Sequence, residues 1–126
     1  MSNIINKDFT YAVVGASNNK EKYGYKVLND LRQGGYKVFP INPKGGEVLG
    51  LKVFKNILEI GEKIDVVVFV VPPEVTLSVL EKIKERGVSK VWMQPGSSSK
   101  EAVAFCKKNN IEYISEACIM IQRINN

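Results

Sequence analysis

A mainly parallel β-sheet with helices on both faces is what this sequence predicts, and three observations carry the prediction. Five short apolar runs, rich in β-branched residues, recur along the 126-residue chain. Between them lie stretches whose apolar residues fall at helical spacing, and glycine or proline stands at most of the boundaries. Strands that are apolar on both faces and alternate with helices belong to parallel sheets, whose crossovers are right-handed.

Phe9-Thr-Tyr-Ala-Val-Val-Gly15 reads as the first buried strand, and a loop runs from Ala16 to Lys22. A helix is expected over residues 23–33, with Val27, Leu28 and Leu31 on one face and Gly34-Gly35 ending it. Tyr36-Lys-Val-Phe-Pro-Ile41 is the second strand, broken by Asn42-Pro-Lys-Gly-Gly46. Residues 47–51 read as a turn or edge strand, and residues 57–61 as a short helical piece. Asp65-Val-Val-Val-Phe-Val-Val71 is the clearest strand of all, and Pro72-Pro73 stops it. A helix over residues 74–86 follows, closed by Gly87, with Glu74 complementing its dipole and Glu81-Lys-Ile-Lys-Glu-Arg86 giving it a solvated face. Lys90-Val-Trp-Met-Gln94 is the fourth strand, cut off by Pro95-Gly96, with Trp92 packed between sheet and helix. Ser98 and Glu101 have the spacing of a capping box for a helix that reaches about Asn109. Ile111-Glu-Tyr-Ile-Ser115 is the fifth strand, and Cys118-Ile-Met-Ile121 a last short strand or turn. The expected architecture is thus a single Rossmann-like, doubly wound domain across residues 1–126, without repeat or linker.

Composition excludes several function classes. No run of about 18 apolar residues is present, so no membrane-spanning helix is expected. The polar stretch Met1 to Asp8 lacks the apolar core of a signal peptide, which favours a cytoplasmic protein. Two cysteines, Cys106 and Cys118, make no disulfide framework, and with no histidine they do not form a zinc site either. The missing histidine also removes the commonest general base near neutral pH. The net charge of +5 is spread over several elements, which disfavours a nucleic-acid partner and suits a small polyanion.

A doubly wound sheet binds its ligand beyond the carboxyl ends of its strands, where strand order reverses. Four strand ends would share that rim: Gly15-Ala16-Ser17-Asn18, Asn42-Pro43-Lys44, Val71-Pro72-Pro73 and Gln94-Pro95-Gly96. Glycine lets backbone approach a ligand closely, and a loop that opens a helix presents free amides to phosphate. Ser17 and Asn18 would add side-chain donors, and Lys20, Lys22 and Lys26 positive charge. A dinucleotide site wants Gly-x-Gly-x-x-Gly after the first strand, but Gly15 is followed next by Gly24. An NAD site also wants an acid at the end of the second strand, where Asn42-Pro43-Lys44 stands instead. That combination disfavours NAD and leaves NADP or coenzyme A, each with a phosphate on the adenosine ribose.

Five strings in order resemble a known family: Val14-Gly-Ala-Ser-Asn-Asn-Lys-Glu-Lys-Tyr-Gly24, Gly35-Tyr-Lys-Val-Phe-Pro-Ile-Asn-Pro43, Val71-Pro-Pro73, Gln94-Pro-Gly96 and Cys118-Ile-Met120. Together they are similar to the stand-alone coenzyme A-binding domain proteins and to the N-terminal domain of the succinyl-CoA synthetase α subunit. The resemblance implies that Gly15, Ala16, Ser17 and Asn18, with Lys22 nearby, hold the phosphate-bearing part of coenzyme A. It implies that Asn42, Pro43 and Lys44 meet the adenosine end, and that Val71, Pro72 and Pro73 lie along the adenine or pantetheine arm. Gln94, Pro95 and Gly96 would line the pantetheine path. The family's phosphorylated histidine has no counterpart here, and neither do the synthetase's other domains, so the resemblance implies binding without ligase activity. Family members often carry arginine just before the cysteine, where this chain has Ala117, leaving Arg123 as the replacement.

Cys118 would lie near the end of the pantetheine, where a mixed disulfide with coenzyme A is chemically accessible. With no basic neighbour in sequence to lower its pKa, a packed, inert thiol is the preferred reading. Cys106, beside Phe105 in a helix, reads as packing or surface. The function expected from the sequence is therefore non-catalytic binding of coenzyme A or an acyl-CoA, with an unidentified protein partner as a further candidate. The alternative is an NADP-dependent oxidoreductase or epimerase, which lacks a placeable proton donor.

Overall fold

The computed structural model describes residues 4–124, so the first three residues of the polar N-terminal stretch and the last two of the chain lie outside the described residues. Five strands form one fully parallel sheet: β1 (Thr10–Val14), β2 (Lys37–Ile41), β5 (Val66–Phe69), β6 (Lys90–Met93) and β7 (Glu112–Ser115), in the order β2-β1-β5-β6-β7. The chain turns outward in opposite directions from β1 and β5, which makes their shared edge the switch point of a Rossmann-like α/β fold.

The register explains why these runs are apolar throughout. Val13 pairs with Val68, and Val68 with Trp92, so one row of side chains faces one layer of helices. That row joins Tyr11 and Val66 with Val27, Leu28 and Leu31 of α1 (Tyr23–Gln33) and Ile119 of α4 (Ile119–Ile124). The alternate row, Ala12, Val14, Val67, Phe69, Val91 and Met93, meets Leu80 and Ile83 of α2 (Pro73–Arg86) and Ala102 and Cys106 of α3 (Lys100–Lys108). A period of two along each strand sends neighbours to opposite layers, and both layers are buried.

Several local expectations are corrected. The cap of α3 is Ser99, whose Oγ accepts from Ala102 N at 3.0 Å, so Ser98 and Glu101 form no capping box. Residues 118–121 open the helix α4 instead of a strand. Ile119 is fully buried and packs with Met120 against the α1 layer, while Ile121 stays exposed. Two other expectations hold: the turn or edge strand at residues 47–51 is a hairpin, β3 (Glu47–Val48) with β4 (Leu51–Lys52), and the short helical piece is one turn of 3-10 helix over residues 57–59, capped by Asn56. Ile4 and Ile5, inside the stretch read as polar, are buried in the α1 layer. Trp92 is buried as expected and donates from Nε1 to Ala117 O at 2.8 Å.

Candidate functional site

The carboxyl ends of β1, β2, β5 and β6 open on a cleft of about 1160 Å³. That exceeds the roughly 300–1,000 Å³ typical of a small-ligand pocket and suits a long ligand. Gly15, Ala16, Ser17, Asn18, Lys22, Asn42, Lys44, Val71, Pro72, Pro73, Gln94, Pro95, Gly96 and Cys118 all line it. Pro43 does not: it is exposed, one residue from two that do.

The floor is set by two glycines. Gly15 leaves β1 with φ +99°, and a Cβ there would stand 2.2 Å from Val70 O. Gly24, the second residue of α1, has no room either, because its Cβ would meet Gly15 O at 1.9 Å. The start of α1 therefore rests directly on the exit of β1. Lys22 occupies its cap position without a side-chain hydrogen bond to the helix, and the first turn holds no acidic residue. A helix start of this kind presents unpaired amides and the positive end of its dipole to the cleft.

The side chains of the connecting loop shape it. Ser17 Oγ accepts from Asn19 N, and Asn19 Oδ1 from Glu21 N, each at 3.0 Å. Asn18 donates one amide hydrogen to Glu47 O at 2.6 Å, tying the loop to the hairpin. Asn42 donates to Ala16 O at 2.8 Å and accepts from Lys44 N at 2.9 Å. Sequence reasoning treats Ser17, Asn18 and Asn42 as ligand contacts, whereas their hydrogen bonds here brace backbone. The exposed ammonium groups of Lys22 and Lys44 are the cations on this side.

The opposite wall is apolar. Pro72 and Pro73 stand at the start of α2, and Gln94, although 96% buried, points its amide into structure: Oε1 accepts from Ile119 N at 2.7 Å. Its Nε2 donates to Cys118 Sγ at 3.5 Å, which holds the thiol on the cleft wall, half-buried. Cys118 is thus no core thiol, against the preferred sequence reading. Cys106 is one: it is fully buried, and burial pushes its thiol up to about 11. Arg123 does not replace the missing arginine in the cleft. It donates to Asp30 at 2.5 and 2.8 Å and pins α4 to α1, and that pairing raises its already high pKa further.

Sequence reasoning overlooks part of the lining. Ser97, buried, accepts from Val71 N at 3.1 Å and joins the ends of β5 and β6. Val48 comes from the hairpin and Val53 from the residue after it, while Met120 and Ile121 come from α4, which the sequence reads as a strand or turn. Gly24 had a legible signal, since it closes the first string. The ionisable groups of the lining are Glu21, Lys22, Tyr23, Lys44 and Cys118. Among the described residues no three His, Cys, Asp or Glu side chains gather as a metal site, and no helix is long and apolar enough to cross a membrane.

Comparison with known proteins gives the family. The family model described as "CoA binding domain" matches residues 9–123. The chain is 34% identical over 122 residues to the alpha subunit of acetate–CoA ligase (ADP-forming) II of Pyrococcus furiosus, covering 87% of this chain and 26% of that one. It is 40% identical over 77 residues to an acetate–CoA ligase (ADP-forming) of Methanocaldococcus jannaschii, covering 61% of this chain and 11% of that protein. The chain thus spans about a quarter or less of these ligases. A conserved hypothetical protein of Pyrococcus furiosus superposes with a TM-score of 0.86 at 43% identity, over 90% of this chain and 98% of that one. With the cleft at the switch point and the family match running from β1 through α4, this chain belongs to the CoA binding domain family.

Proposed function

We propose that the protein binds coenzyme A or an acyl-CoA in this cleft, through a single domain, and catalyses no reaction by itself. The carrying observation is the bare start of α1, pressed onto β1 by Gly15 and Gly24 and flanked by Lys22 and Lys44. Amides, dipole and two ammonium groups, against the one carboxylate of Glu21, gather on one side of a cleft whose far side carries no charge. That arrangement matches a ligand with phosphates at one end and an uncharged arm at the other. The lining residues taken from the sequence, Cys118 included, are proposed as its contacts. A cytoplasmic setting suits such a ligand. The ligase names of its relatives make an enzyme partner that supplies the chemistry a reasonable companion.

Thermal unfolding with and without ligand tests the proposal. Coenzyme A at 100 times its Kd would add about 2.7 kcal/mol of stability through linkage to the folded state. Melting that stays unchanged in saturating coenzyme A and acyl-CoA would overturn the reading. Stabilisation by NADPH in their place would favour the oxidoreductase alternative, since NADP also carries a phosphate on its adenosine ribose.

A further inference from the structure

We propose that the α4 wall of the cleft seats an apolar acyl chain, which makes the ligand an acyl-CoA thioester. The proposal rests on the coenzyme A reading and extends it to the substrate class. The charged lining residues, Glu21, Lys22 and Lys44, all lie on the β1–β2 side. From Val48 onward the lining holds no charged side chain, so a polyanionic end belongs with the lysines and an uncharged end with β6 and α4.

Beyond Cys118 that uncharged wall continues further than a bare thiol needs. Ile121 N donates to Cys118 O at 3.1 Å, so Ile121 stands one helical turn on and shares a face with the cysteine. It lines the cleft and is nevertheless 60% exposed. Met120 lies beside Ile121 in the lining. Large apolar side chains left open to water on a cleft wall mark a surface that gains from being covered. An acyl chain attached to the sulfur of pantetheine would continue along α4 and cover them. Free coenzyme A would stop at the thiol and leave them wet.

Calorimetric titration with coenzyme A, acetyl-, butyryl- and hexanoyl-CoA tests this. Affinity is expected to rise about two- to fourfold for each methylene added. Ile121→Ser should flatten that series, whereas Ile124→Ser, also exposed but outside the cleft, should leave it as it was. If coenzyme A binds and the series is flat in the unaltered protein, the acyl seat is wrong and the coenzyme A reading stands; the apolar rim then has another occupant, such as a protein. A rising series that Ile121→Ser leaves intact also overturns the seat on α4. No binding of any member overturns both.

Discussion

The β1–α1 wall of the cleft is built by backbone, with glycines where side chains would collide and with Ser17, Asn18 and Asn42 bonded back to the main chain. The β6–α4 wall is held instead by side chains, Gln94 on Ile119 N and Cys118, Trp92 on Ala117 O and Arg123 on Asp30, and it offers apolar surface. A wall of amides recognises charge and shape common to many nucleotides. A wall of side chains can be retuned by substitution without disturbing the sheet. The first half is therefore expected to carry affinity for the phosphate-bearing end, and the second to decide what the other end is.

Breaking the first wall should have the largest effect. Gly24→Ala places a methyl group 1.9 Å from Gly15 O, which is backbone that no rotamer change can move aside. Separating α1 from β1 by the necessary distance is expected to cost about 3 kcal/mol. That corresponds to a fall in Tm of roughly 10 °C. Coenzyme A affinity should fall with it, because the helix start leaves the floor of the cleft. A Gly24→Ala protein that melts normally and binds normally would mean that the contact is not what shapes the site.

Removing the buried amide support of the second wall should come next. Gln94→Leu keeps the volume but leaves Ile119 N buried without its acceptor, at a cost of about 1–3 kcal/mol. It also frees Cys118. Reaction of the thiol with a disulfide reagent should change in the folded state, while Arg123 still holds the far end of α4 to Asp30. Unchanged thiol kinetics would mean that Gln94 does not position Cys118.

The two cysteines sharpen the contrast through pH. Burial raises Cys106 from 9.0 to about 11, so the folded state holds that proton more tightly than the unfolded chain does. Its contribution to stability is complete below pH 9 and is lost as pH rises toward about 11. Tyr11, raised by burial from 10.0 to about 12, extends the decline. Unfolding midpoints followed from pH 8 to pH 11 should fall, and Cys106→Ala should make the early part of that fall shallower. In the native protein a thiol reagent should label Cys118 and spare Cys106 until unfolding.

Much of this contrast was legible in the sequence, and the exceptions share a cause. Strands were readable because apolar runs such as Val66–Phe69 are buried on both faces, and a run of that length has few other fates. The rim followed because the strand ends were marked by glycine and proline. Hidden features depend on distant contacts. α4 is helical because Arg123 meets Asp30 across 93 residues and Gln94 accepts from Ile119 N. The hairpin forms a wall because Asn42 N and Phe54 N bond across to residues 54 and 40. No local pattern in Ile119-Met-Ile121 could distinguish strand from helix, and that string supplies the apolar rim of the cleft.

The hairpin itself should respond least to substitution, and the reason is a near cancellation. Leu49 sits at φ 54° and Gly50 at φ 76°, the left-handed pair that a two-residue hairpin turn prefers to fill with Asn-Gly. Leu49→Asn relieves a strain of about 1 kcal/mol. The leucine, however, is half-buried against the α1 layer, and losing that contact costs about the same. The bond from Arg32 to Leu49 O at 2.7 Å uses backbone and survives the change. The expected net shift in unfolding free energy is within about 0.5 kcal/mol, measured by denaturant titration, with coenzyme A affinity unaltered. A loss well beyond that would mean that Leu49 anchors the hairpin by its side chain. The β1–α1 side of the cleft would then depend on a side-chain contact as much as the α4 side does.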